Sequence, residues 1–95
     1  MKFTWDSTKA SESLGKHGID FREAATVFDD PLSTTFPDAD HSEGEQRFLV
    51  IGMSALARIL VVSHTDAGDT IRIISARAAT RRERRFYEEN DSNPH

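Results

Sequence analysis

The sequence predicts an α+β fold, and three observations predict it. Two short helical segments come early, each opened by an aspartate in the N-cap position, Asp6 and Asp20. Three β-type runs then follow one another with short connections: Gln46 to Met53, Arg58 to Thr65 and Asp69 to Ala76. Runs joined this way pair as an antiparallel meander. A last helix begins at Thr80-Arg81-Arg82-Glu83, which has the spacing of a capping box. Helices at both ends of the chain must bury their apolar faces on the meander between them.

Each element has a local reason. Lys2 to Trp5 is a short strand candidate. Behind Asp6, Lys9, Ala10, Leu14 and Lys16 form a helix that stops at Gly18, with Gly15 weakening its last turn. Asp20 opens the second helix, and Glu23 three residues on resembles another capping box. Phe21, Ala24, Ala25 and Phe28 fall at i, i+3, i+4 and i+7 and form its buried stripe. Asp29-Asp30-Pro31 ends it. Ser33 to Phe36 is a weak edge strand before Pro37, and Asp38 to Glu45 is a polar, acidic loop. Ile59, Leu60, Val61 and Val62 are apolar on both parities, which predicts a central strand covered on both faces. Asp66-Ala67-Gly68-Asp69 makes the next turn, with Gly68 free to take positive φ. Phe86 is expected in the core. Residues 90–95 read as a frayed tail, and residues 1–95 as one domain.

Charge is distributed unevenly. The formal net charge is −4, yet six of the twelve Lys and Arg lie between Arg72 and Arg85. Residues 1–69 carry six basic side chains against twelve acidic ones, whereas residues 70–87 carry six basic and one acidic. One cationic pole on an acidic protein attracts phosphates or an acidic partner. There is no cysteine, hence no disulfide or thiolate chemistry, and no apolar run approaches the ~20 residues of a membrane span. The N-terminal residues show no signal-peptide pattern, and a cytoplasmic location is expected. No metal, nucleotide or dinucleotide motif is present, so neither a metal nor a cofactor is expected.

Two constellations could carry chemistry. His64 and Arg72 lie on adjacent strands across one turn. If the loop is Ala67-Gly68-Asp69 they face each other within ~5 Å (Cβ to Cβ), a proton-transfer group beside a fixed cation. If it is Ala67-Gly68 alone they point to opposite faces. The bland alternative makes His64 a strand-end histidine and Arg72 a cover for apolar surface. The second constellation is the arginine-rich helix start. Arg77 precedes the cap, and residues 81–85 hold four arginines and no lysine. Guanidinium groups grip phosphate in a bidentate way and stabilise the charge of a phosphoryl transition state; a solvated helix face is the plainer reading. Tyr87 either stacks on a base or closes the core.

These residues also add up to a family pattern. Trp5-Asp6 with Lys9, Lys16-His17-Gly18-Ile19-Asp20-Phe21, and Ala24-Ala25-Thr26-Val27-Phe28-Asp29-Asp30-Pro31 resemble the BrnT family. So do Asp40-His41-Ser42 with Glu45 and Arg47, and Ile73-Ile74-Ser75-Ala76-Arg77 with Thr80, Glu83, Arg84 and Tyr87. The likeness runs collinearly over about residues 3–88. It implies a RelE-like fold and the toxin half of a type II toxin–antitoxin module: a metal-independent endoribonuclease that cuts mRNA and stops translation. It also implies a BrnA-like ribbon-helix-helix antitoxin, a heterotetrameric complex, and operator DNA contacted only through the antitoxin.

On that reading the 2′-OH attacks the adjacent phosphate in line. His64 is the expected proton-transfer residue, and Arg72, Arg77 and Arg81 are expected to hold the scissile phosphate. Glu83 is either a general base or the capping glutamate. Arg82 and Tyr87 are further RNA-binding candidates, while Arg84 and Arg85 are assigned to the antitoxin. The competing reading is a non-catalytic module whose arginine-rich helix binds an acidic partner or a nucleic-acid backbone.

Overall fold

The computed structural model describes residues 1–41 and 44–92 of the chain. Strand β1 spans Lys2–Trp5, helix α1 Ser7–His17 and helix α2 Phe21–Thr26, which tightens into a 3-10 turn over Val27–Asp29. Then come β2 (Thr34–Pro37), a 3-10 turn at Ala39–His41, β3 (Phe48–Met53), β4 (Ile59–Ala67), β5 (Thr70–Ala78) and α3 (Arg81–Ser92). The five strands form one sheet in the order β1-β5-β4-β3-β2. The meander β3-β4-β5 is antiparallel as expected, and β2 extends it at one edge. The other edge is formed by β1, for whose partner the sequence holds no local signal. β1 runs parallel to β5, so the sheet is mixed.

The helix ends follow from their caps. Asp6 accepts hydrogen bonds from the Thr8 and Lys9 amides at 2.8 and 3.2 Å, and Gly18 closes α1 in the left-handed region at φ 66°. Asp20 accepts from the Arg22 amide at 2.8 Å. Glu23 does not complete a capping box. It is buried, accepts from Ser54 Oγ at 2.7 Å and from Arg58 Nε at 2.9 Å, and pairs with the Arg58 guanidinium a second time. Arg58 thus ties the β3–β4 turn to α2 and, through the Gly18 carbonyl at 3.1 Å, to the end of α1. The Arg58 hydrogen bond outweighs burial and holds the Glu23 carboxyl below its ordinary pKa.

β4 is the middle strand and is covered on both faces, as its doubly apolar sequence predicts. One face meets α1, α2 and the 3-10 turn through Leu60, Val62, Val50 and Ile73 against Ile19, Phe21, Ala24 and Val27. Burying a side chain such as Phe21 or Leu60 contributes roughly 1.5–3 kcal/mol. The opposite face is smaller: Ile51 and Val61 pack with Tyr87 of α3, with Leu32 and Phe36 alongside. Tyr87 is the core residue of α3, whereas Phe86 is 42% exposed and rests its ring 5.6 Å from Phe36 at the rim. The helix continues through Ser92, beyond the start of the expected tail; residues 93–95 lie outside the described residues.

The β4–β5 register differs from both alternatives left open by the sequence. The loop is Gly68-Asp69, with Gly68 at φ 70°, and His64 pairs with Ile73 while Arg72 pairs with Thr65. His64 therefore points into the helix-covered core and Arg72 to the other face. Only 4% of His64 is exposed. It lies edge-on to Phe28 at 4.8 Å and stacks on Phe48 at 5.9 Å. Among the described residues its Nδ1 lies 3.3 Å from the Val62 carbonyl. Burial holds its pKa below the ordinary value, with the Val62 carbonyl and Asp66 pulling the other way.

Two predictions follow from this packing. Gly52 of β3 lets the 3-10 turn press onto the sheet: a Cβ there would lie 2.8 Å from Val27 Cγ1 and 2.9 Å from Ser33 Cβ. Gly52→Ala should lower the unfolding free energy by about 1–3 kcal/mol in urea titrations, and an unchanged midpoint would show that the turn is not packed this way. His64 has a depressed folded pKa, so the unfolded chain takes up its proton first as pH falls. Stability is then complete above pH ~6.5 and declines below it. Between pH 7 and pH 5 (roughly the window in which an unfolded histidine charges), the wild-type chain should lose stability and His64→Leu should not. Equal slopes for the two proteins would contradict the burial.

Candidate active site

An irregularity in β5 sets up the site. Ser63 pairs with Ser75 and His64 with Ile73, so Ile74 is the extra residue of a β-bulge. Side chains alternate along a strand, and one extra residue resets the alternation. Arg72 and Arg77, an odd number of positions apart, consequently share one sheet face. β1 pairs with β5 only as far as Ile73, and α1 takes over the edge beyond it. The buried Ser13 hydroxyl donates toward the Ile19 carbonyl at 3.0 Å and toward the Ala76 carbonyl at 3.2 Å.

Beside this edge lies a cleft of about 580 Å³ on the face that α3 leaves partly open. Leu49, Ser63 and Ser75, in register across three strands, line its floor. Arg77 stands two residues beyond Ser75 on β5, whereas Arg47, just before β3, stands two residues short of Leu49, on the opposite side of that row. Lys9, Lys16 and His17 of α1 line one wall, and Asp38 and Asp40 another. The cleft is thus polar and mixed in charge, with one arginine on either side of a row that holds two serines.

Arg77 is aimed by α3. Its Nη1 and Nη2 donate to Glu83 Oε1 and Oε2 at 2.7 and 3.0 Å, a bidentate pair. The expected capping box is present as well: Glu83 Oε1 accepts from the Thr80 amide at 2.8 Å, and Thr80 Oγ1 accepts from the Glu83 amide at 3.2 Å. The Arg77 hydrogen bonds, helped by the Thr80 amide and opposed by burial, hold the Glu83 carboxyl down at about 2. A carboxylate that acidic is a weak base at neutral pH. Cap and arginine clamp therefore describe Glu83 better than proton acceptor.

The structure brings together Arg77 and Glu83 of the sequence-derived candidates. It does not bring together His64 and Arg72, and His64 lines neither this cleft nor any surface facing Arg72. Arg72 sits further along the same face, 3.7 Å from Glu45 in a half-exposed ion pair. Tyr87 is 5% exposed and donates its hydroxyl to Asp30 Oδ2 at 2.6 Å, so its ring closes the core and is not offered to a base. Arg81, Arg82, Arg84 and Arg85 are exposed on α3, and none lines the cleft. Of the motif Asp40-His41-Ser42, Ser42 lies outside the described residues. Sequence reasoning missed Ser63, Ser75, Lys9, Lys16, His17 and Arg47 as site residues. The signal was there in part: Ser75-x-Arg77 and Arg47-x-Leu49 are one-face spacings, and Ser63 is polar within an apolar run.

The family model described as the ribonuclease toxin BrnT of type II toxin–antitoxin systems matches residues 5–83. The chain belongs to the BrnT family. A solved structure agrees: the crystal structure of the Brucella abortus ribonuclease toxin BrnT superposes with a TM-score of 0.65 at 26% sequence identity, covering 85% of this chain and 99% of that one. No curated protein matches the chain. As a BrnT-family member the chain is the toxin component of a type II toxin–antitoxin system, in a family named for ribonuclease activity. Among the described residues no helix is long and apolar enough to cross a membrane.

The clamp on Arg77 has a measurable acid limb. The Glu83 carboxyl is depressed in the folded state, so its contribution is complete above the ordinary carboxyl value of 4.5 and disappears as pH falls through about 2. Glu83→Gln should cost about 1–2 kcal/mol at pH 7, discounted for the solvent beside the pair, and should flatten stability against pH below 4.5 relative to wild type. Superimposable acid limbs would remove Glu83 as the clamp.

Proposed function

We propose that the chain is a metal-independent endoribonuclease on a RelE-like plan that cuts mRNA and so halts translation, with its catalytic centre in the Ser63–Ser75–Arg77 cleft. The observation that carries the reading is the bidentate Arg77–Glu83 pair at the cleft wall, in a chain of a ribonuclease toxin family. Glu83 fixes the Arg77 guanidinium before substrate arrives, which is the preorganisation that charge stabilisation in a transition state requires. Cleavage proceeds by in-line attack of the 2′-OH on its own phosphate. Arg77 neutralises the charge developing on the phosphate oxygens, and the Ser63 and Ser75 hydroxyls orient them. His17 lines the cleft where His64 does not, and takes the proton-transfer role. Arg81 and Arg82, in the first turn of α3 beyond Arg77, contact flanking phosphates.

The partner is a BrnA-like ribbon-helix-helix antitoxin in a heterotetramer, with operator DNA reached only through the antitoxin and the whole assembly cytoplasmic. Arg84 and Arg85 serve that partner. They are exposed on a helix whose arginines lie outside the cleft, which supports an interface separate from the catalytic residues.

The test is cleavage of single-stranded RNA by purified protein in EDTA. The wild-type chain should cut, leaving a 2′,3′-cyclic phosphate, and Arg77→Ala should lose about 10²–10³ in rate and its growth arrest. Because Arg77→Ala also releases Glu83, Arg77→Lys should be assayed beside it; it keeps the charge and loses the fork. RNA binding without any cutting by the wild-type chain would support the non-catalytic module instead, and a fully active, folded Arg77→Ala protein would rule out this catalytic centre.

A further inference from the structure

A second cleft, of about 360 Å³, adjoins the first. Thr4, Lys9, Arg72 and Ile74 are among the residues that line it, and Lys9 and Ile74 line both clefts. We propose that this second cleft is a separate phosphate subsite for the single-stranded RNA that enters the catalytic cleft, held by Lys9 and Arg72. The proposal deepens the ribonuclease reading and rests on it.

Geometry separates the two subsites and joins them into one track. Arg72 and Arg77 are five positions apart on β5, about 15 Å by strand rise, too far to grip one phosphate. The bulge at Ile74 nevertheless turns both to the same sheet face. Thr4 pairs with Arg72 across the parallel β1–β5 ladder, so it stands on that face as well and offers a hydroxyl. Lys9, in the first turn of α1, stands between the clefts and bridges them. Asp6 also lines the second cleft, but its carboxylate is engaged by the Thr8 and Lys9 amides as the helix cap.

The arrangement already holds an anionic oxygen. Glu45 Oε1 lies 3.7 Å from Arg72 Nη2, and both side chains are about half exposed, at 56% and 52%. A long, half-exposed contact of that kind yields readily to a better anion. A phosphodiester oxygen would take the place of the Glu45 carboxylate on Arg72. Continuity with the catalytic cleft favours a nucleic-acid strand over an isolated phosphate or an acidic peptide.

The test separates binding from cutting. A short, fully 2′-O-methylated oligoribonucleotide cannot undergo 2′-OH attack, and its affinity can be followed by fluorescence anisotropy against salt. Each phosphate contact on a single strand contributes about 0.7 to the slope of log K against log salt. Lys9→Gln and Arg72→Gln should each flatten the slope by about 0.7 and the double variant by about 1.4. Glu45→Gln should tighten binding, and Arg22→Gln, on α2 outside both clefts, should leave the slope unchanged. Slopes unaltered in the Lys9 and Arg72 variants, or an equal loss with Arg22→Gln, would overturn the subsite. A wild-type chain that binds this oligonucleotide with these slopes yet never cuts unmodified RNA would overturn the ribonuclease reading and keep the binding track. Inorganic phosphate competing at Arg72 as well as the strand does would assign the cleft to free phosphate and reject the RNA subsite.

Discussion

The Asp30 carboxylate is the junction on which the second face of the sheet depends. It sits where the first 3-10 turn ends and accepts from the Leu32 amide at 3.0 Å, from the Met53 amide at 2.8 Å and from the Tyr87 hydroxyl at 2.6 Å. One side chain thereby ties the turn after α2, the end of β3 and the middle of α3. Burial alone would raise its pKa, yet the hydrogen bonds from Met53, Tyr87 and Leu32 more than offset that, and the carboxyl stays below its ordinary value. α3 has a small apolar footprint, mainly Tyr87 on Ile51 and Val61. The polar anchor fixes where the helix lies, and Glu83, one turn earlier, then reaches Arg77. Positioning in the cleft is thus inherited from an aspartate on the far side of α3.

The sheet divides its labour by face. The face under α1 and α2 carries the larger core and includes His64, whose ring is spent on Phe28 and Phe48. The other face is covered at one end by α3 and left polar at the other, where Ser63, Ser75 and the arginines stand. The core and the polar cleft are therefore drawn from alternate residues of the same strands. The Ile74 bulge allows both, because Ile71, Ile73 and Ala76 all stay buried while Arg72, Ser75 and Arg77 all face outward or into the cleft.

Much of the architecture was legible because it is written locally. Asp6, Gly18, Asp20 and the Thr80–Glu83 box act within a turn of where they stand, and the apolar run at residues 59–62 marks the central strand by itself. What could not be read is non-local. Nothing near Lys2 to Trp5 says that its partner is the last strand or that the pairing is parallel. The loop Gly68-Asp69 alone decides the facing of His64 and Arg72, and its length is not fixed by the residues Asp66 to Asp69. The bulge, one unpaired residue with an ordinary side chain, lies beyond that pair and decides that Arg72 and Arg77 share a face. Glu23 has the spacing of a capping residue, but a half-exposed arginine 35 positions away competes for its carboxylate and wins. The catalytic candidates divided the same way: Arg77 and Glu83 were visible as neighbours in sequence, while the serines and lysines of the cleft meet only through the sheet.

The parallel pairing of β1 with β5 has a bearing on how such a protein is made. Residues 2–5 find their partners only at residues 70–73, so the sheet edge that supports α1 cannot close while most of the chain is still unsynthesised. The cleft needs Lys9 from near the beginning, Ser63 and Ser75 from the meander, and Arg77 with Glu83 from beyond it. Folds with contacts this distant in sequence form slowly compared with helical ones. A nascent or truncated chain that ends before α3 lacks the carboxylate that aims Arg77. The order of translation itself then delays the assembly of the cleft and its clamped arginine until residues 81–83 have followed the whole sheet.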